Sequence, residues 1–267
     1  MTIMKLSELY IYPVKSLAGI ALSESDVEQT GLKYDRRWMV VTPEGHFLTQ
    51  RSQPQMALVQ TRIENGQLLL SRHDMPDLLV PPVTKNAKRI SVTVWRDTLD
   101  AVHINTEVDA WLSEAIGIEC RLVSFADDVV RAVNPDYSRQ GDSTAFADGY
   151  PFLLISQASL DDLNSRLQTQ LPMKRFRPNL VVTGCEPYAE DQWKQIQIGE
   201  IKMRIAKPCS RCATTTVDPE TGQYTGKEPL RTLSQYRRQD NKVMFGQNLL
   251  HDNTGRLHLG DVVTLDL

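Results

Sequence analysis

Two cysteines, Cys209 and Cys212, stand in the run Lys207-Pro208-Cys209-Ser210-Arg211-Cys212. A thiolate serves as a nucleophile or a soft metal ligand, and this spacing admits four readings. A zinc site needs about four ligands, normally from a second Cys/His pair three to five residues apart. Here His251 and His258 are seven apart, and Cys120 and Cys185 stand alone. A redox dithiol should open a helix, whereas Thr214-Thr215-Thr216-Val217 is a β-favouring run. Both thiols can also be small buried core residues, a reading that Lys207 and Arg211 oppose because flanking cations favour a thiolate. Lastly, one thiolate can complete a metal held mostly by an organic cofactor. That reading requires cations elsewhere for an anionic group. The chain offers Lys15-Ser16 after Tyr12-Pro13-Val14, Arg36 in Tyr34-Asp35-Arg36-Arg37-Trp38, and Arg177 in Phe176-Arg177-Pro178-Asn179. Arginine suits phosphate as a fork and lysine as a point charge. Composition and spacing leave all four readings open.

The elements that must position these residues are mainly strands. Ile201, Met203 and Ile205 alternate with polar neighbours as in a half-buried strand, and Pro208 should end its regular pairing. That puts the cysteines at a strand end, with the turn Asp218-Pro219-Glu220-Thr221-Gly222 beyond. Hairpins are expected between Trp38–Thr42 and His46–Gln50 around Pro43-Glu44-Gly45, and between Val59–Ile63 and Leu68–Leu70 around Asn65-Gly66. Near the end, Arg256–Gly260 and Val262–Leu267 alternate again around Gly260-Asp261. The chain start reads as a first strand. Three segments read as helices: Glu107–Ile116, capped by Asn105 or Thr106 and stopped by Gly117; Ser159 to about Gln168, with Ser159 and Asp162 as a capping box; and Pro229–Arg237. Asp127–Gly149 reads as a long loop, uncommon unless functional or mobile. Many short strands with few helices predict a mainly β (α+β) fold of barrel-like architecture, not a doubly wound α/β sheet. The division between two β-rich blocks is expected near residue 120.

Length and composition narrow the class. The chain has 267 residues, 41% hydrophobic and 24% charged, ordinary for a soluble globular protein of one large or two modest domains. A net charge of −3 gives no general push toward a nucleic acid polymer, so any basic site must be local. No apolar run approaches the ~18–20 residues that span a bilayer, so no membrane partner is expected. The start lacks the apolar core of a signal peptide. Four cysteines are too few for a disulfide framework, which makes a cytoplasmic setting with reduced thiols the expectation.

Lys207 to Cys212, followed by Thr215-Thr216-Val217-Asp218-Pro219-Glu220-Thr221-Gly222, resembles the signature of MOSC-domain proteins. The match is closest to the branch containing the mitochondrial amidoxime-reducing component and bacterial YcbX-type proteins. Supporting matches run the length of the chain: Tyr12 to Ser16, Asp35-Arg36, Phe146-Ala147-Asp148-Gly149-Tyr150-Pro151-Phe152, Phe176 to Asn179, Glu228-Pro229-Leu230 and Phe245-Gly246-Gln247-Asn248. The resemblance implies an N-terminal β-barrel domain over 1–120, a MOSC domain over 121–267, and a molybdenum–molybdopterin cofactor between them. It maps the molybdenum ligand to Cys212 and gives Cys209 no ligand role. It places Lys15, Ser16, Arg36, Arg177 and Asn179 at positions that hold the pterin and its phosphate, with Ser210 and Arg211 touching the cofactor beside the ligand. Asp148 falls in a loop facing the metal and is the candidate proton relay, although on its own it reads equally as a loop-capping aspartate. Gly149 and Tyr150 depart from the Thr-Ser of the animal proteins, which puts the shape of the substrate in question.

The activity so implied is reduction of small N-hydroxylated compounds or N-oxides to amines. Its electrons would come from a separate carrier, ferredoxin-like or a cytochrome with a flavin reductase. No Gly-x-Gly-x-x-Gly opens a helix after a strand, and four cysteines do not support an iron–sulfur cluster. Bacterial relatives often continue into a ferredoxin-like domain, whereas this chain ends after its last expected MOSC strand, as a stand-alone version or a truncated one. Two other classes remain. One is a sulfur-carrier or cofactor-handling protein with a persulfide on Cys212; the other is a cofactor-free binding module.

Overall fold

Phe152–Ser156 and Leu180–Thr183 are short, almost wholly apolar runs, the pattern of strands covered on both faces. The computed structural model, which describes residues 3–84 and 87–265, pairs these two in parallel near the middle of a nine-stranded sheet. Their side chains alternate between two cores, as a period of two requires. Leu154, Leu180 and Val182 pack with Leu6, Leu9 and Met203, while Leu153, Ile155 and Val181 pack with Phe176 and Phe245 on the other face. Each such side chain contributes about 1.5–3 kcal/mol on burial. From one edge the sheet runs Val263–Leu265, Gln195–Ile198, Ile201–Ser210, Lys242–His251, Phe152–Ser156, Leu180–Thr183, Lys5–Ile11 and Ile20–Leu22, with Arg238–Gln239 paired off this path to Lys242–His251.

A five-stranded sheet runs Arg89–Val94, Asp97–His103, Arg121–Phe125, Trp38–Val41 and Val14–Lys15. Pairing therefore crosses residue 120 in both directions. Lys5–Ile11 joins strands of the second half, and Arg121–Phe125 joins strands of the first. The mainly β fold stands, but among the described residues no sheet closes into a barrel. His46–Gln50, expected as a strand, makes only the single bridges Val41 to Phe47 and His46 to Thr93. The ladder that would join Trp38–Val41 to Arg89–Val94 is thus reduced to two points.

Other local expectations resolve case by case. Gln60–Glu64 and Gln67–Ser71 form a hairpin through Asn65 and Gly66, both left-handed at φ 49° and 81°, as a type I′ turn demands. Gly255–His258 pairs with Glu24–Glu28, and Val263–Leu265 with Gln195–Ile198. The two alternating C-terminal segments thus form strands in different sheets, which bury Leu257 and Val263. Met1 and Thr2 at the start of the first expected strand, and Asp266 and Leu267 at the end of the last, lie outside the described residues.

The first helix, Thr106–Ile116, is capped by the Asn105 side chain, which accepts from Val108 N–H at 2.8 Å, and ends at left-handed Gly117. The second, Gln157–Ser165, starts earlier than expected because Ser156 caps it, accepting from Ser159 N–H. The expected capping pair is used otherwise: Ser159 donates to buried Glu190 and Asp162 pairs with Arg166. The third is a single turn, Leu230–Leu233, because the chain leaves the helix before Arg237. No helix among the described residues is long and apolar enough to cross a membrane.

Candidate functional site

The strand Ile201–Ser210 continues through Pro208 to Ser210, although proline was expected to end its pairing. Register shifts on both sides of Pro208 absorb the missing donor. Between the pairs Pro208–Gln247 and Ser210–Met244 the partner strand holds one extra residue, so Phe245-Gly246 face Cys209 alone. Gly246 sits at φ 80°, and a Cβ there would lie 2.8 Å from the Leu154 carbonyl oxygen. Only glycine fits this bulge. Beyond the strand, Ala213–Thr216 forms a 3₁₀ turn instead of the extended run its threonines favour. Thr215 Oγ1 donates to the Cys212 carbonyl at 2.9 Å and Thr216 Oγ1 to that of Ala213 at 2.8 Å, local bonds that override β propensity. Cys212 is left exposed at the turn's edge.

All nine residues singled out from the sequence line one cleft: Lys15, Ser16, Arg36, Asp148, Arg177, Asn179, Ser210, Arg211 and Cys212. Lys15 ends a short strand of the five-stranded sheet, and Arg36 precedes another of its strands. Arg177 precedes Leu180–Thr183, and Cys212 follows Ile201–Ser210, both in the larger sheet. Sequence reasoning missed Arg51, which also lines the cleft. Five cations thus face one carboxylate on a chain of net charge −3.

The backbone shows a signal that composition did not. Ser16, Arg36 and Arg177 are left-handed, at φ 69°, 49° and 57°, a costly conformation that gathers at ligand sites. The Arg36 and Arg177 guanidinium groups lie over the Tyr12 ring, 4.4 and 4.2 Å from its centroid. Tyr12 was part of a quoted motif but was given no role. Burial pushes its phenol up to about 12, the two arginines opposing, and its hydroxyl has no partner. It is a neutral platform. Arg36 donates to buried Asp35 at 2.6 Å and to Asn179 Oδ1 at 3.0 Å, while Arg177 donates to the Leu17 carbonyl at 2.7 Å. The Asn179 side chain also bonds Leu153 N–H and the Tyr10 carbonyl. Burial lowers Arg177 to about 10, leaving it charged at neutral pH.

Lys15 is buried and donates to the Phe146 carbonyl at 2.9 Å and to Asp148. Burial pulls its pKa below the usual lysine range and Asp148 opposes this. For Asp148, crowding alone would raise the carboxyl, but Lys15 and the Trp95 indole N–H hold it well below the usual carboxylate range. The Asp148 side chain is 73% exposed, so solvent screens the pair, and the donors fix the carboxylate's orientation more than its charge.

The expected loop 127–149 is pinned rather than loose. Buried Arg131 donates to the Ala145 and Ala147 carbonyls and to Asp97, and Arg204 Nη2 donates to both carboxylate oxygens of Asp142. Arg131 was missed because nothing in its neighbours marks it.

Among the described residues the flanking cations make their contacts away from the Cys212 thiol. Arg211 Nη1 donates to Cys209 Sγ at 3.1 Å, and Lys207 lies over the rings of Tyr137 and Tyr150. Cys120 is buried and its thiol is pushed up to about 11, mainly by that burial. Among the described residues no group of three or more His, Cys, Asp or Glu side chains is placed to hold a metal. A zinc site lacks its ligand set, and the cysteines open no α-helix. The residues instead fit an anionic organic group carrying a soft metal. Arg211 Nε is buried without a partner, the Ser16 and Ser210 hydroxyls make no bond within the described protein, and Cys212 is the exposed thiol beside them.

Comparison with known proteins places this arrangement in a class. Residues 3–119 match the MOSC N-terminal beta barrel domain and residues 141–264 match the MOSC domain. Mitochondrial amidoxime-reducing component 1 of Mus musculus is 36% identical over 281 residues, covering 97% of this chain and 81% of that protein. The Homo sapiens component 1 is 36% identical over 277 residues, covering 97% and 82%. Among solved structures, the YUAD protein of Bacillus subtilis covers 98% of this chain and 94% of its own at 10% identity, with a TM-score of 0.46. The chain belongs to the MOSC family, with a MOSC N-terminal beta barrel domain followed by a MOSC domain.

Proposed function

We propose that the chain is an oxidoreductase that reduces small N-hydroxylated compounds, amidoximes among them, or N-oxides to the corresponding amines or amidines. It would hold a molybdenum–molybdopterin cofactor in the cationic cleft, with Cys212 as the thiolate ligand. The observation that carries this reading is the convergence of five cations and one exposed thiol on a single cleft. The names of the relatives add the substrate class.

The balanced reaction takes a hydroxylamine, two electrons and two protons to an amine and water. When bound, the cofactor supplies the two-electron chemistry. Lys15, Arg36, Arg177 and Arg211 bind and orient its anionic groups. Asp148 is held ionised, so it accepts and passes on protons instead of storing one at rest. Lys15, which also donates to the Phe146 carbonyl, holds that carboxylate in place. The electrons come from a separate carrier, and a thiol-reducing cytoplasmic setting belongs to the same reading.

The test is molybdenum and pterin content after production in a cofactor-competent host, followed by benzamidoxime reduction with reduced viologen. Stoichiometric metal with turnover is expected. Loosely held pterin with labile sulfur on Cys212, and no turnover, would establish the sulfur-carrier alternative instead.

A further inference from the structure

Trp95 and Arg96 form the two-residue loop between Arg89–Val94 and Asp97–His103. Of these two, Trp95 alone is left-handed, at φ 56°. A loop with positive φ only at its first residue normally takes glycine there. The chain instead places its largest residue type at that point, and leaves it 44% exposed. Neither choice helps folding.

The indole explains the position. Its Nε1 donates to Asp148 Oδ1 at 3.0 Å, the same oxygen that accepts from Lys15 Nζ. The ring is braced by Phe47, with centroids 5.2 Å apart, and by Arg51, whose guanidinium lies 4.5 Å from the ring centroid. With both donors on Oδ1, Asp148 Oδ2 is left without a protein donor among the described residues, on a side chain that lines the cleft.

We propose that Trp95 is a positioning residue: with Lys15 it anchors Asp148 Oδ1 and so presents Oδ2 to an N–H or O–H group of the substrate. This rests on the proposed function in taking the cleft as the substrate site. The subsite suits a cationic or N–H-rich group of the amidine and amidoxime type, because Oδ2 is a charged acceptor. Trp95 touches no reacting atom; it fixes the carboxylate that does.

Benzamidinium, the amidine produced from benzamidoxime, is the probe. Its binding to the cofactor-loaded protein is measured by calorimetry in the wild type, Trp95→Phe, Asp148→Asn and the double variant, with steady-state kinetics on benzamidoxime alongside. Trp95→Phe keeps the ring against Phe47 and Arg51 and removes only the N–H. Binding about tenfold weaker is expected in each single variant, with no further loss in the double, because both changes act through one carboxylate. In the kinetics Trp95→Phe should appear mainly as a raised KM. Trp95→Gly relieves the left-handed backbone, so it should unfold no earlier than Trp95→Phe while losing binding to the same degree. A Trp95→Phe protein with wild-type binding and KM overturns the proposal, as do losses that multiply in the double variant. A wild type that does not bind benzamidinium removes the subsite. A chain that binds the probe with the expected pattern but reduces no N-hydroxylated compound would overturn the proposed function and leave this inference standing.

Discussion

Burial pulls the Lys15 ammonium toward neutrality, while Asp148 and any anion in the cleft hold it charged. A lysine whose folded pKa is lowered binds fewer protons folded than unfolded, so stability rises with pH across that window. The stability of the wild type relative to Lys15→Met is therefore expected to climb as pH rises through the lowered value toward 10.5, measured by urea unfolding at stepped pH. Retention of an anionic cofactor should move the other way and weaken over the same window, and Lys15→Met should lose roughly tenfold to a hundredfold in retention at neutral pH. Arg36 carries a second duty, because its removal strands the buried Asp35. Arg36→Met is expected to cost about 3–5 kcal/mol of stability, seen as a lowered denaturant midpoint. Cys212→Ser should abolish bound molybdenum and turnover, and Cys209→Ser should keep the metal, read by elemental analysis. Four of the five cleft cations, Lys15, Arg36, Arg177 and Arg211, were legible because turn residues and strand boundaries surround them. Trp95, Arg51 and Arg131 were not, because their roles depend on partners distant in sequence: Asp148 for Trp95, and carbonyls of residues 145 and 147 for Arg131.

Pro208 and Gly246 together shape the strand end that presents the cysteines. A side chain at Gly246 would meet the Leu154 carbonyl and the Ile155 side chain from a left-handed backbone. Gly246→Ala is therefore expected to cost about 1–3 kcal/mol. It should also disturb Cys212 more than a core change of equal cost, so metal content should fall further than in a variant such as Ile196→Val matched for unfolding midpoint. Strand identity was readable wherever alternation was clean, as in Ile201 to Ile205. Partnership was not: Gly255–His258 and Val263–Leu265 are neighbours in sequence, yet each pairs with a distant strand. Periodicity reports which face of a strand is buried and says nothing about its neighbour. The 3₁₀ turn at Ala213–Thr216 was hidden for a related reason, since threonine's hydroxyl bonds to nearby carbonyls outweighed its extended preference.

Across the whole molecule, the cleft draws Lys15 and Arg36 from the five-stranded sheet and Arg177, Arg211 and Cys212 from the larger one, so the proposed cofactor and the fold are linked. Binding to the folded state alone raises stability as RT ln(1 + [L]/Kd), and the loaded protein should melt well above the cofactor-free one by calorimetry. The proposed division of labour predicts that reduced viologen, or an added ferredoxin or cytochrome with its reductase, drives benzamidoxime reduction, and that NADH alone gives background. NADH consumed in step with amidine formation, with no flavin or partner protein present, would contradict it. The first strand adds a consequence in time. Lys5–Ile11 leaves the ribosome long before Leu180–Thr183, yet the two pair. At about 5–20 residues per second its partner follows roughly 10–35 s later. During that interval an apolar strand waits with an open edge, and Lys15 exists without Cys212. Capture of the proposed cofactor through both would therefore begin only after Cys212 has been synthesised.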